Sequence, residues 1–149
     1  GGNQSNTVSA DLSESALETA LINISLIEDD KGILVGAQAK SLHIPPQNIF
    51  IADRILKSER RVGTADNDEN AIKNLGMFPG GYTVNHRFTD TNSWYIRTDV
   101  PNGTKLFIRV PLKVKMWEDD VTGNILWKAR ERYIPGWSNW RQWYGSNGA

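Results

Sequence analysis

The stretch KLFIRVPLKVKMWE at residues 105–118, followed after a short turn by ILWKARERYI at 125–134, decides the fold. Apolar residues recur at every second position of the first segment, as in a strand with one covered face. The intervening DDVTGN at 119–124 has the Asp and Gly of a turn, so the two segments predict a long β-hairpin. Pro111 cannot donate a ladder hydrogen bond, which indicates an edge or a bulge. The predicted apolar face of the first strand comprises Leu106, Ile108, Val110, Leu112, Val114 and Met116.

The return strand has two different faces. Lys128, Arg130 and Arg132 share one face, either as the solvated side of a half-buried strand or as a basic stripe for phosphate or another subunit. The other face carries Ile125, Trp127, Ala129, Glu131 and Tyr133. We expect Glu131 to be buried there and ion-paired, with Arg87, Arg97 or another subunit as its partner. The alternative is a surface carboxylate flanked by two arginines.

An aromatic tail follows the hairpin. Three tryptophans recur at every third residue of GWSNWRQWY at 136–144, and a tyrosine ends the run. We expect this surplus aromatic surface to be exposed in a lone subunit and to anchor a protein interface, with Arg141 bonding acidic surface. A sugar-binding surface and base stacking on single strands are the alternatives. The candidate interface residues are Arg130, Glu131, Arg132, Trp137, Trp140, Arg141, Trp143 and Tyr144.

The region before the hairpin mixes helical and strand patterns. Apolar spacing predicts a helix over about 12–27, with Ser9, Asp11 and Ser13 as possible N-caps, and a second helix over about 48–57. Strands are predicted at 40–44, 82–88 and 93–98, and a polar loop, functional or mobile, at 59–76. The fold class is α+β, with two or three helices followed by antiparallel strands and the long hairpin. The predicted organisation is a polar lead-in at 1–11, a first region at 12–104, and the hairpin and tail at 105–149.

Composition restricts the function classes. The 149 residues suit one domain, and the 17 basic and 17 acidic residues argue against a dedicated duplex-binding protein. The charge is unevenly spread, with 11 acidic and 7 basic residues in 1–80, and 6 acidic and 10 basic residues in 81–149. Opposite-sign halves suit self-association as well as a nucleic-acid face. No apolar run approaches the length of a membrane span.

A catalytic or metal-binding constellation is not evident. The sequence has no cysteine, and His43 and His86 lie far apart. DNDEN at 66–70 opens like a calcium loop but has Ala71 and Met77 where Gly and Glu are needed. The acidic pairs Asp29–Asp30 and Asp119–Asp120 lie in turns, where Asp is favoured for its local hydrogen bonds. No nucleophile elbow, phosphate loop or dinucleotide fingerprint occurs. We therefore expect no enzyme activity, no metal and no cofactor.

The C-terminal half resembles the end of tailed-bacteriophage major capsid proteins of the Hong-Kong-97 type. The family run is roughly Thr-Asp-Thr, a Trp, Asp-Val-Pro-x-Gly, a Lys-Ala-Arg-Glu-Arg-Tyr-like strand, Gly-Trp and a Gly-Ser-x-Gly ending. LHIPPQ and DNDENA upstream also look like family segments, so the resemblance spans about residues 12–149. The family often has Pro and Gly where this chain has Trp140, Gln142 and Trp143. The matching positions are Thr89, Asp90, Thr91, Trp94, Asp99, Val100, Pro101, Gly103, Lys128–Tyr133, Gly136, Trp137, Gly145, Ser146 and Gly148.

The resemblance implies an axial domain followed by the terminal strands of the peripheral domain. The family's N-terminal arm, extended loop and spine helix would precede residue 1. It also implies a structural subunit that assembles with itself into an icosahedral virion shell, formed in the host cytoplasm. Scaffold, portal or decoration proteins are implied partners, and packaged DNA is implied only as a weak, non-specific contact. No membrane partner is implied.

Overall fold

A computed structural model describes residues 4–60 and 68–148. It divides the chain into two compact units, one comprising Gly1–Pro101 with Trp140–Ala149 and the other Asn102–Asn139. The α+β class predicted from the sequence is confirmed. The elements in chain order are β1 (Thr7–Val8), α1 (Glu14–Ser25), β2 (Ala39–Ile44), a 3-10 turn (Pro46–Asn48), α2 (Ile49–Lys57), α3 (Ala71–Asn74), β3 (Tyr82–Val84), β4 (Trp94–Thr98), β5 (Thr104–Glu118), β6 (Ile125–Trp137), a second 3-10 turn (Trp140–Gln142) and β7 (Trp143–Ser146).

The first unit is built on a five-stranded mixed sheet in the order β1-β7-β4-β2-β3. Strand β4 is antiparallel to both of its neighbours, with Ile96 opposite Leu42 of β2 and opposite Tyr144 of β7. The outer pairs, β1 with β7 and β2 with β3, are parallel. The last strand of the chain therefore lies inside the sheet, between the first strand and β4.

Helix α1 covers this sheet because its apolar residues recur at helical spacing. Leu17, Leu21 and Ile24 are buried, and they join Leu42 and Trp94 of the sheet in one hydrophobic core. Of the three predicted N-caps, Ser13 is the one observed, and its hydroxyl accepts a hydrogen bond from the Ala16 amide at 3.2 Å. Every residue of this core cluster belongs to the first unit.

Three sequence predictions for the first unit need correction. The strand predicted at 82–88 ends at Val84, because the Asn85 side chain accepts the Arg87 amide and turns the chain. The polar lead-in contains β1, which pairs with β7. Part of the predicted loop at 59–76 is helix α3, capped by Asn70, while residues 61–67 lie outside the described part of the chain.

The tail is also placed differently from the prediction. Residues from Trp140 onward belong to the sheet unit and not with the hairpin, so the predicted boundary at 105–149 is wrong for the tail. The reason is backbone pairing, since Trp143–Ser146 completes the ladder between β4 and β1. A free tail would leave both neighbours with unpaired amide and carbonyl groups.

The second unit is the predicted hairpin of β5 and β6. At its tip Asp119 accepts hydrogen bonds from the Val121 amide and, at 2.6 Å, from the Thr122 hydroxyl. Both bonds lower the pKa of Asp119, and the bond from the Thr122 hydroxyl has the larger effect. Gly123 has a φ of 67°, a left-handed conformation that suits glycine. At the base, the Ser138 amide donates to the Gly103 carbonyl at 3.0 Å.

Within the described residues, no helix is long and apolar enough to span a bilayer.

Candidate assembly surface

The hairpin has two chemically distinct faces that its register defines. Directly opposite residues of an antiparallel pair share a face, and successive residues alternate. Register shifts occur between Ile108 and Val110 and between Val110 and Lys113, each adding one residue to β5. The predicted bulge near Pro111 is thus confirmed. The first shift also moves Val110 opposite Arg132, so its predicted place on the apolar face is wrong.

One face of the hairpin is largely apolar and is exposed. Its cross-strand pairs include Ile108 with Tyr133 and Met116 with Trp127. Eight large apolar side chains of this face are 56–72% exposed in the chain. A two-stranded hairpin is marginally stable alone, and isolated chains rarely expose so continuous an apolar surface. The eight residues, here called the apolar face, are Leu106, Ile108, Val114, Met116, Ile125, Trp127, Tyr133 and Trp137.

Glu131 is a single acidic residue in the middle of the apolar face. Strand alternation places it between Ala129 and Tyr133. Its predicted burial is wrong for this chain, because Glu131 is exposed. The predicted pairing with Arg87 or Arg97 is also absent among the described ion pairs. The carboxylate is exposed to solvent, so it keeps its hydration and needs no partner.

The opposite face of the hairpin is basic at its centre. Lys113 lies opposite Arg130, Lys115 opposite Lys128, and Arg132 occupies the adjoining row opposite Val110. All five cations are exposed. We call these five residues the basic face. The predicted stripe of Lys128, Arg130 and Arg132 is confirmed, and the register adds Lys113 and Lys115.

Lys113 and Lys115 were missed in the sequence analysis, although a signal for them was available. The turn at 119–124 pairs Glu118 with Ile125, and counting back from that pair brings both lysines onto the basic face. Their alternation with apolar residues places them on the face opposite the predicted apolar one.

Arg141 binds groups of its own unit, whereas the sequence predicts that it binds the acidic surface of a partner. Its Nε donates to the Glu28 carbonyl at 3.0 Å, and its Nη2 lies 3.0 Å from the Asp30 carboxylate. The guanidinium also stacks on the Trp140 ring, 4.9 Å from the ring centroid. The predicted acidic partner is real, but it belongs to the same unit of the same chain.

The other tail aromatics are likewise part of the sheet unit. Tyr144 is buried, with 3% exposure, and its phenol oxygen accepts a hydrogen bond from Asn23. Trp143 is half-buried and meets the His43 ring edge-on at 5.0 Å. Trp140 is half-buried too. The expectation of an exposed tail is therefore wrong for Tyr144 and holds fully only for Trp137, which belongs to the hairpin.

The eight candidate residues thus fall into two groups. Arg130, Glu131, Arg132 and Trp137 lie in the hairpin unit, and the other four lie in the sheet unit. The hairpin group is open to a partner. The sheet group stabilises its own unit, which leaves little of the tail for a sugar or a base to stack on.

A cleft of about 480 Å³ in the sheet unit is lined by residues that include Lys57, Lys73 and Tyr82. Lys57 pairs with Asp53 at 2.5 Å, and the Tyr82 hydroxyl donates to the same carboxylate at 3.0 Å. The Lys57 bond is the main reason that the pKa of Asp53 is lowered. Lys73 pairs with Glu59 at 3.6 Å. The two lysines of this cleft are therefore both in ion pairs, which is a structural role. The described residues contain no cluster of three or more metal-binding side chains.

No family model matches the chain, and no curated protein does. A crystal structure of a virus-like particle from Pyrococcus furiosus is similar to this chain, with a TM-score of 0.48 and 14% sequence identity. The similarity covers 97% of this chain and 57% of that one, so the present chain spans a little over half of its length.

Proposed function

We propose that this chain is a structural, self-assembling subunit of a virion shell, and specifically of a tailed-bacteriophage head of the Hong-Kong-97 type. The observation that carries the proposal is the apolar face of the hairpin. Its eight large side chains are more than half exposed in the chain. Covering them would contribute on the order of 10 kcal/mol, which offsets the entropy cost of bringing two copies together.

Glu131 makes that association specific. When a partner covers the apolar face, this carboxylate loses its water and must gain a cation or hydrogen-bond donors. Binding to an apolar surface that lacks such a group is less favourable, because the carboxylate would be buried without a partner. This suits a subunit that must join its correct neighbours and avoid amorphous aggregation.

The charge distribution supports assembly between copies. The hairpin unit, residues 102–139, holds 7 basic and 4 acidic residues, a net charge of +3. The sheet unit holds 10 basic and 13 acidic residues, a net charge of −3. Opposite charges on two units steer copies together and leave the assembled shell neutral. Near-neutrality also suits a DNA container, because strong phosphate binding would impede packing and release.

The residue pattern shared with phage capsid proteins agrees with this proposal. The proposal assigns the chain no catalytic reaction and no cofactor. It places the protein in the virion, with copies of itself as its main partners.

The test is assembly of the purified chain, measured by analytical ultracentrifugation and negative-stain electron microscopy. We expect large assemblies, and we expect Met116→Lys with Trp127→Lys to abolish them without changing the melting temperature. Trp127→Phe is the matched control and should still assemble. A chain that stays monomeric at all concentrations, or that gives saturable hits on a glycan array, would contradict the proposal.

A further inference from the structure

The basic face of the hairpin carries an electrostatic conflict that a partner would relieve. Lys113 lies directly opposite Arg130, and Lys115 lies directly opposite Lys128. Like charges at opposed positions of an antiparallel pair destabilise it. No described ion pair involves any of these four side chains. Repulsion between these cations therefore destabilises the hairpin in the isolated chain. An anionic surface bound to this face would replace that repulsion with attraction.

Apolar pairs bound the basic face at both ends. Register and alternation place Phe107 with Ile134 on the same side near the base, and Trp117 with Leu126 near the tip. All four side chains are 40–65% exposed. Single-strand nucleic-acid grooves combine cations with stacking aromatics along the strand. Here the apolar groups lie outside the cations, an arrangement that favours a protein surface with acidic and apolar groups side by side.

The sheet unit presents a segment with that complementary chemistry. EDDKGILV at 28–35 places three acidic residues next to three exposed apolar ones. Ile33, Leu34 and Val35 are 63%, 57% and 41% exposed. We call residues 28–35 the acidic turn.

The acidic turn is ordered before any partner binds. Glu28 and Leu34 form an antiparallel bridge, and the Val35 amide donates to the Ile27 carbonyl at 2.8 Å. The Asp29 carboxylate accepts the amides of Lys31 and Ile33 at 2.8 and 2.9 Å. Because the backbone is already fixed, docking this segment would cost little conformational entropy.

We infer that the basic face of one copy docks on the acidic turn of a second copy. The contact joins two different surfaces, so it is heterologous and propagates from copy to copy until a ring or shell closes. This inference rests on the proposed assembly function and names the surfaces that would meet. The apolar face is left free for a separate contact.

The test uses two charge-reversed forms of the whole chain. The hairpin form carries Lys113→Glu and Arg130→Glu, and the turn form carries Glu28→Lys and Asp30→Lys. Each form alone opposes like charges at the contact, so we expect its assembly constant to fall at least tenfold. An equimolar mixture restores opposite charges at every contact, and we expect it to assemble as the wild type does.

Three controls keep the outcomes separate. Lys40→Glu with Arg87→Glu changes the net charge equally at exposed positions of the sheet unit and should leave assembly unchanged. Circular dichroism and melting confirm that each form folds. If the turn form unfolds, Asp30→Lys alone replaces it, because the Asp30 side chain is 98% exposed.

The inference is overturned if the hairpin form assembles as well as the wild type, and the proposed function then still stands. It is also overturned if the mixture stays unassembled, or if the reversals abolish only the binding of a single-stranded oligonucleotide. A wild-type chain that never assembles would overturn the inference and the proposed function together.

Discussion

Tyr144 and Asn23 are joined by a hydrogen bond of 2.9 Å across 121 positions of the chain. The bond connects strand β7, which lies inside the sheet, to helix α1, and Tyr144 is buried. We expect Tyr144→Phe to lower the free energy of unfolding by about 1 kcal/mol, since it removes one hydrogen bond. Tyr144→Ala should cost about 3–5 kcal/mol, because it leaves a cavity in the core. Urea denaturation would measure both, and equal losses would contradict this account.

Arg141 binds both the Glu28 carbonyl and the Asp30 carboxylate within the sheet unit. Its side chain is only 16% exposed, whereas its partner Asp30 is 98% exposed. We expect Arg141→Met to lower the free energy of unfolding by about 1–2 kcal/mol, because the partly buried Glu28 carbonyl loses a charged donor. Asp30→Asn should change it by less than about 0.5 kcal/mol, since a solvated ion pair contributes little. The reverse order of the two effects in thermal melts would show that the ion pair dominates.

His43 should make the stability of the protein depend on pH. Partial burial, and secondarily the charge of Arg97, lower the pKa of His43 from its ordinary value of 6.5. The unfolded chain therefore binds this proton at a higher pH than the folded chain does. Stability is fully present above about pH 6.5 and falls as the pH drops below it. Melting temperatures between pH 5 and 7.5 would show the decline, and His43→Gln should reduce its slope.

The sheet unit should fold without the hairpin. All residues of the core cluster belong to the sheet unit. A hydrogen bond between Gly103 and Ser138 brings the two ends of the hairpin together. We expect replacement of residues 104–137 by a short Gly-Ser linker to leave a cooperative melting transition. The same change should abolish assembly, because it removes the apolar face and the basic face. Loss of cooperative melting would show instead that the hairpin is part of the unit's core.

The sequence predicts helix α1 and the hairpin because interactions between residues close in sequence determine both elements. Helix α1 is specified by apolar spacing and the Ser13 cap, and the hairpin by alternation around the turn at 119–124. Helix α3 has only four residues, too few for a period to show, and its Asn70 cap is held by contacts with Ile55 and Ser58. Such contacts are not visible in local sequence.

The candidate site was predicted in part for the same reason. Alternation along β6 separates Glu131 from its two neighbouring arginines, and the register confirms that separation. The place of the aromatic tail depended on strand pairing across most of the chain, between Trp143–Ser146 and Thr7–Val8. An aromatic cluster has the same sequence pattern whether it packs internally or against a partner, so the sequence does not reveal that the tail packs inside its own unit.

The hairpin interrupts the sheet unit between β4 and β7, and this matters while a ribosome makes the chain. Strand β4 is complete at Thr98, but its neighbour β7 begins only at Trp143. At 5–20 residues per second, translation of the intervening stretch takes about 2–9 s. During that interval β1 has no strand to pair with, and one edge of β4 is open to chaperones or to a neighbouring nascent chain. Native folding of the sheet is therefore completed late, after the whole hairpin has been made.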